Sequence, residues 1–140
     1  MARAMETNYT STTTIESGMR CRTTYAPSGA SFATDVAAAL GGLGEQPSPG
    51  EMLASCVASC VLSMVAHTGR QKGFDTCGIS ARAGYESGKA GITALVFEIS
   101  VPMPTDAVTR RFMQGAVKSC PVGNAIAPTV EKRVNWNWAE

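Results

Sequence analysis

Residues 48–66 read Ser-Pro-Gly-Glu-Met-Leu-Ala-Ser-Cys-Val-Ala-Ser-Cys-Val-Leu-Ser-Met-Val-Ala, and this stretch decides the fold. Ser48 can cap a helix, Pro49 suits the first helical position because it has no N–H to leave unsatisfied, and Glu51 can return a hydrogen bond to the cap. From Met52 to Ala66 no face carries a charge, so the pattern predicts a helix buried on every side. Gly69 is the expected C-terminal stop. A single sheet covers only one face of such a helix, which leaves the other for a partner chain.

Strands flank this helix on both sides. Residues Tyr9 to Ile15 and Met19 to Tyr25 are rich in β-branched side chains, with Glu16-Ser17-Gly18 between them as a turn, and predict a hairpin. A third strand, Ala30 to Thr34, precedes an irregular loop at Gly41-Gly42-Leu43-Gly44. After the helix, Thr76 to Glu86 and Ile92 to Val101 read as strands joined at Ser87-Gly88, with Thr93, Leu95, Phe97, Ile99 and Val101 on one face. Thr105-Asp106 opens a second helix to about Lys118, with an apolar stripe of Val108, Phe112, Met113, Ala116 and Val117. Cys120-Pro121 starts a short helix toward Ala127. Thr129 to Trp138 alternates Val130, Lys132, Val134, Trp136 and Trp138 against polar neighbours as a final strand.

At 140 residues, and with no repeat or linker, residues 1–140 read as a single α+β domain. Twelve basic residues against eleven acidic ones leave a formal charge of +1, too little to attract phosphate backbones or anionic lipids, so neither nucleic acid nor membrane is an expected partner. The polar, Thr-rich start from Met1 to Ser17 carries no apolar stretch of signal-peptide length, and the expected location is cytoplasmic. There the five cysteines should rest as thiols.

Position separates those cysteines. Cys21, between Arg20 and Arg22 in a strand, and Cys77, at the start of another, read as packing residues. Cys56 and Cys60 share a helix face with His67 near the same stripe, but three ligands spread over three turns cannot converge on one ion, so no metal site is expected and His67 reads as a helix-end residue. Cys120 stands just before Pro121 and would be the N-cap of the short helix, where free N–H groups and the helix dipole favour a reactive thiolate.

Taken together, Ser48-Pro49-Gly50-Glu51-Met52-Leu53-Ala54-Ser55, Ala58-Ser59-Cys60 and Cys120-Pro121-Val122 resemble the OsmC/Ohr family of osmotically inducible and organic hydroperoxide resistance proteins. The resemblance covers nearly the whole chain. It implies an OsmC-like α+β fold, with curved antiparallel sheets around a buried central helix, assembled as an intertwined homodimer. By position it implies that Cys60 is the peroxidatic cysteine and Cys120 the resolving one. It further implies an arginine, held by a glutamate, that keeps Cys60 ionised. The family's glutamate directly follows the proline; here that position is Gly50, and the carboxylate Glu51 comes one residue later. Arg20 and Arg22 on the second strand are the candidate arginines.

The activity so implied is a thiol peroxidase reducing organic hydroperoxides through a Cys60–Cys120 disulfide, reopened by a small dithiol or a lipoylated reductant, with no bound cofactor. Two other readings fit the same residues. One is an OsmC-like dimer that binds a small apolar or thiol-bearing ligand with little or no turnover; the other is a dithiol redox sensor.

Overall fold

A computed structural model describes residues 7–140. The chain divides into two units, one running to Pro49 and the other spanning Gly50–Glu140.

In the first unit three strands form an antiparallel sheet in chain order: β1 (Ser11–Ser17), β2 (Arg20–Tyr25) and β3 (Ser31–Thr34). The β-branched run predicted this hairpin, and Thr13 pairs with Thr23 across it, hydroxyl to hydroxyl at 2.8 Å. Beyond β3 lies the glycine-rich loop, with a single 3-10 turn at Ala38–Leu40. The buried Asp35 carboxylate organises it by accepting the amides of Val36 at 2.7 Å and Leu43 at 3.2 Å. Gly42 passes so close to the Val36 carbonyl that a Cβ there would sit 1.9 Å from its oxygen, which excludes every other residue.

The second unit is built on α1 (Pro49–Gln71), which starts where Pro49 predicts. Its end corrects the sequence reading, because the helix runs through Gly69. Gly73, at φ 69°, takes the left-handed position instead, while the amide of Phe74 reaches the Gly69 carbonyl at 2.8 Å and that of Gly73 reaches Arg70 at 3.2 Å, the paired bonds of a Schellman stop. Gly69 is a glycine for a different reason: a Cβ would lie 2.3 Å from Thr76 Cγ2.

Burial of α1 is also narrower than expected. Within one chain only the stripe of Ala54, Val57, Ala58, Val61, Val65 and Gly69 is buried, and Leu53, Cys56, Ser59 and Ala66 are exposed. The stripe packs on the sheet of β4 (Ser80–Gly88), β5 (Gly91–Val101) and β6 (Glu131–Trp138), where Leu95, Phe97 and Ile99 complete the main core. Leu95, Phe97, Ile99 and Val101 are buried as their alternation predicts, but Thr93 is exposed. β4 begins four residues later than expected. Cys77 therefore lies in the turn before it, exposed, its amide bonded to Asp75 Oδ1 at 2.9 Å.

β4 and β5 are antiparallel, whereas β5 and β6 run parallel, so this sheet departs from an all-antiparallel arrangement. The connection explains it: the chain from β5 passes through α2 (Ala107–Val117) and α3 (Pro121–Asn124), long enough to return to the same end of the sheet. Asp106 caps α2 by accepting the Thr109 amide at 2.7 Å, which holds its carboxyl below the ordinary range. Of the expected α2 stripe, Met113 and Ala116 are buried while Val108 and Phe112 stay exposed. Near the end of β6, Trp136 and Trp138 stack in parallel, with ring centroids 4.7 Å apart.

Candidate functional site

Cys60 lies at the edge of the buried stripe of α1, next in sequence to Val61 and one turn beyond Val57, and is partly buried. Cys120 is only 1% exposed and belongs to the same core cluster. The structure brings the two together: Cys60 packs against the core cluster that contains Cys120 and lies close enough to influence its titration. All five cysteines are free thiols.

Cys120 is the N-cap of α3, as Pro121 predicts, and its sulfur accepts the Gly123 amide at 3.2 Å. The reactivity expected from that cap is not what the site provides. Burial pushes the Cys120 thiol pKa up, the neighbouring Cys60 adds to the rise, and the opposing amides of Gly123 and Val122 are outweighed. Cys120 is therefore a protonated thiol at neutral pH.

Beside Cys120 opens a cavity of about 250 Å³, walled by the apolar side chains of Val57, Val61, Phe97 and Val134, with Lys118 and Lys132 also contributing. Lys132 was legible only as one member of an alternating strand. In the structure its Nζ donates to the Gly123 carbonyl at 2.8 Å, one residue's peptide group away from the Cys120 contact.

The remaining predicted residues stand elsewhere. Glu51 lies in the first turn of α1, nine residues before Cys60, which is about 14 Å along a helix axis. The space beside Gly50, where the family pattern has a glutamate, is filled by Tyr85: a Cβ at Gly50 would sit 2.9 Å from that ring. In the first unit, Arg20 donates to Glu45 at 2.9 Å and lies 3.7 Å from the buried Asp35. The hydrogen bond with Glu45 raises the Arg20 pKa against the opposing effect of burial. Arg20 Nε is buried without a hydrogen-bond partner among the described residues. Arg22 pairs instead with Glu16, and its Nη1 donates to Ser31 Oγ at 3.2 Å. Among the described residues no three His, Cys, Asp or Glu side chains are placed to hold a metal ion.

A family model described as OsmC-like protein matches residues 42–135. No curated protein sequence matches the chain. Among solved structures, a protein from Psychrobacter arcticus 273-4 named as an osmotic stress induced and detoxification response protein is similar with a TM-score of 0.91 at 23% identity, covering 96% of this chain and 100% of that one. The organic hydroperoxide resistance protein OsmC of Legionella pneumophila is similar with a TM-score of 0.70 at 16% identity, covering 94% and 99%. A Vibrio cholerae organic hydroperoxide resistance protein, with captopril in one of its active sites, gives 0.69 at 18% identity, covering 98% and 97%. These structures share the α+β arrangement of two sheets and a central helix, and the family model spans both the α1 cysteine and the Cys-Pro-Val turn. The chain belongs to the OsmC-like protein family.

Proposed function

We propose that the protein is a thiol peroxidase that reduces organic hydroperoxides by cycling Cys60 and Cys120 between dithiol and disulfide. The observation that carries this reading is that a partly exposed thiol on α1 packs against the core cluster holding a buried, protonated thiol at the cap of α3. The names of the Legionella and Vibrio relatives support the substrate class.

In the first step the Cys60 thiolate attacks one oxygen of the hydroperoxide. An S–O bond forms as the O–O bond breaks, and the leaving alkoxide takes a proton and departs as the alcohol. Cys60 is left as a sulfenic acid. Cys120 then attacks that sulfur; the S–S bond forms and water leaves, carrying the Cys120 proton. Its raised pKa suits this second role, because a protonated thiol does not compete for hydroperoxide. An external dithiol or a dihydrolipoyl group reopens the bond by exchange and becomes the oxidised partner. The cycle uses no bound cofactor and belongs in a reducing, cytoplasmic setting.

Arg20 is the preferred activating cation. Two carboxylates hold it, and its Nε has no hydrogen-bond partner among the described residues, whereas Arg22 spends Nε on Glu16. Glu51 is assigned to supporting the start of α1. A homodimer is part of the proposal, supported by the exposed Ile15, Phe32, Leu40, Leu43 and Leu53, which water alone would cover in a single chain.

The test mixes reduced protein with one equivalent of an organic hydroperoxide, maps disulfides by mass spectrometry in wild type and Cys60→Ser, and follows hydroperoxide loss with excess dithiol. A Cys60–Cys120 bridge with sustained, Cys60-dependent consumption is expected. No bridge and no consumption would leave a second reading, a module binding a small apolar molecule, which the cavity of about 250 Å³ supports.

A further inference from the structure

β6 carries Lys132, Val134, Trp136 and Trp138 at alternate positions, which places them on one face, and Val130 stands just before the strand in the same alternation. Four of the five are apolar and pack against the core clusters of the second unit. Lys132 breaks the row. Lys132 is exposed, so its stem can lie along the apolar neighbours while its head reaches a partner at the edge of the core.

The partner is the carbonyl of Gly123, 2.8 Å from Lys132 Nζ. That carbonyl belongs to the last turn of α3, where a cation meets the negative end of the helix. The amide of the same residue donates to Cys120 Sγ at 3.2 Å. Gly123 is thus held at its carbonyl by the lysine and contacts the thiol through its amide. Asn124 is a second side-chain anchor of this turn, its Nδ2 donating to the Lys118 carbonyl at 3.2 Å, alongside backbone bonds from the amides of Asn124 to Cys120 and of Ile126 to Gly123. A helix of four residues has too few internal bonds to hold itself.

We propose that Lys132 is a positioning residue for Cys120: its ammonium fixes the 120–124 turn so that the buried thiol stays beside Cys60, and this sets the rate of disulfide closure. The inference rests on the peroxidase reading for its place in turnover, although closure itself can be driven without a hydroperoxide. Losing the anchor lets the turn sample positions in which the two sulfurs are not aligned, and misplacement of this kind slows an intramolecular step steeply.

The experiment drives closure in the reduced full chain with diamide, a diazene that takes up the two thiol hydrogens as a hydrazine while the S–S bond forms. The Cys60–Cys120 peptide is quantified against time by mass spectrometry in wild type, Lys132→Met and Lys132→Arg. Parallel runs with an organic hydroperoxide trap the Cys60 sulfenic acid with dimedone. Lys132→Met, which keeps the stem and loses the donor, should close about ten-fold more slowly, while sulfenic acid forms at the wild-type rate. Lys132→Arg should restore closure to within about two-fold. Closure at the wild-type rate in Lys132→Met overturns the proposal; so does equal slowing in both variants, which marks a general loss of packing. Should Lys132→Met not fold, Lys132→Gln removes the charge with a polar end and is read in the same way. If hydroperoxide leaves the wild type unoxidised while diamide closure still depends on Lys132, the peroxidase reading falls and the positioning role stands.

Discussion

The amide of Gly123 donates to the sulfur of Cys120 over 3.2 Å, yet the thiol it touches is held protonated. The amides of Gly123 and Val122 in a four-residue helix do not offset the removal of a sulfur from water. This balance at Cys120 ties the stability of the fold to pH.

The native pKa of Cys120 lies above its ordinary value. As pH climbs past the ordinary thiol range, about 8.5, the unfolded chain releases a proton that the native chain keeps. The stability from this group is complete below that range and is lost as pH rises through the native value. In urea unfolding of the reduced protein, wild type should therefore lose more stability than Cys120→Ser between about pH 8 and about pH 10. Parallel losses in the two proteins would contradict the shift.

Replacing Cys120 with Ala should leave the first oxidation intact and block the second. Cys60 sulfenic acid should then persist and, under excess hydroperoxide, pass to the sulfinic state, while dithiol-supported turnover drops by about ten-fold or more. Intact-mass measurement reads the added oxygens directly. A variant that turns over normally would show that Cys120 does not resolve the intermediate.

Arg20→Lys and Arg22→Lys should differ. Lysine cannot reproduce a guanidinium shared between two carboxylates, so Arg20→Lys should slow Cys60 oxidation by about ten-fold. The Arg22 side chain is more exposed and pairs on the sheet with Glu16, and Arg22→Lys should stay within about two-fold. Rates of sulfenic acid trapping distinguish them, and the reverse order would move the assignment to Arg22.

Gly69→Ala should destabilise the second unit by about 1–3 kcal/mol, because the added methyl meets Thr76 Cγ2 in a buried contact. Thr76→Ser removes that methyl, and the double variant should recover much of the loss in denaturant titrations. If Gly69→Ala instead stabilises the helix by its better propensity, the contact is not tight.

The start of α1 and the first hairpin were legible because Pro49 and the β-branched runs act locally. Gly69 misled because its neighbour, Thr76, is reached only after the chain turns back, and nothing inside the helix encodes that contact. The direction of β6 was equally hidden, since alternation fixes which face a residue takes and not which way the strand runs. At the site, Pro121 revealed the cap at Cys120 but not its burial. The pairing of Cys60 with Cys120 came from resemblance, and Lys132 passed as one more strand residue because its partner carbonyl belongs to a different element.

The stacked Trp136 and Trp138 are the only two tryptophans in the chain, and both sit on β6 in the unit that holds the cysteine pair. Intrinsic indole emission is therefore a regional reporter. It follows the sheet that supports Cys60 and Cys120, while the hairpin unit that carries Arg20 holds no indole of its own. A thermal melt monitored by tryptophan fluorescence reports directly on the second unit, and the first calls for a probe of its own.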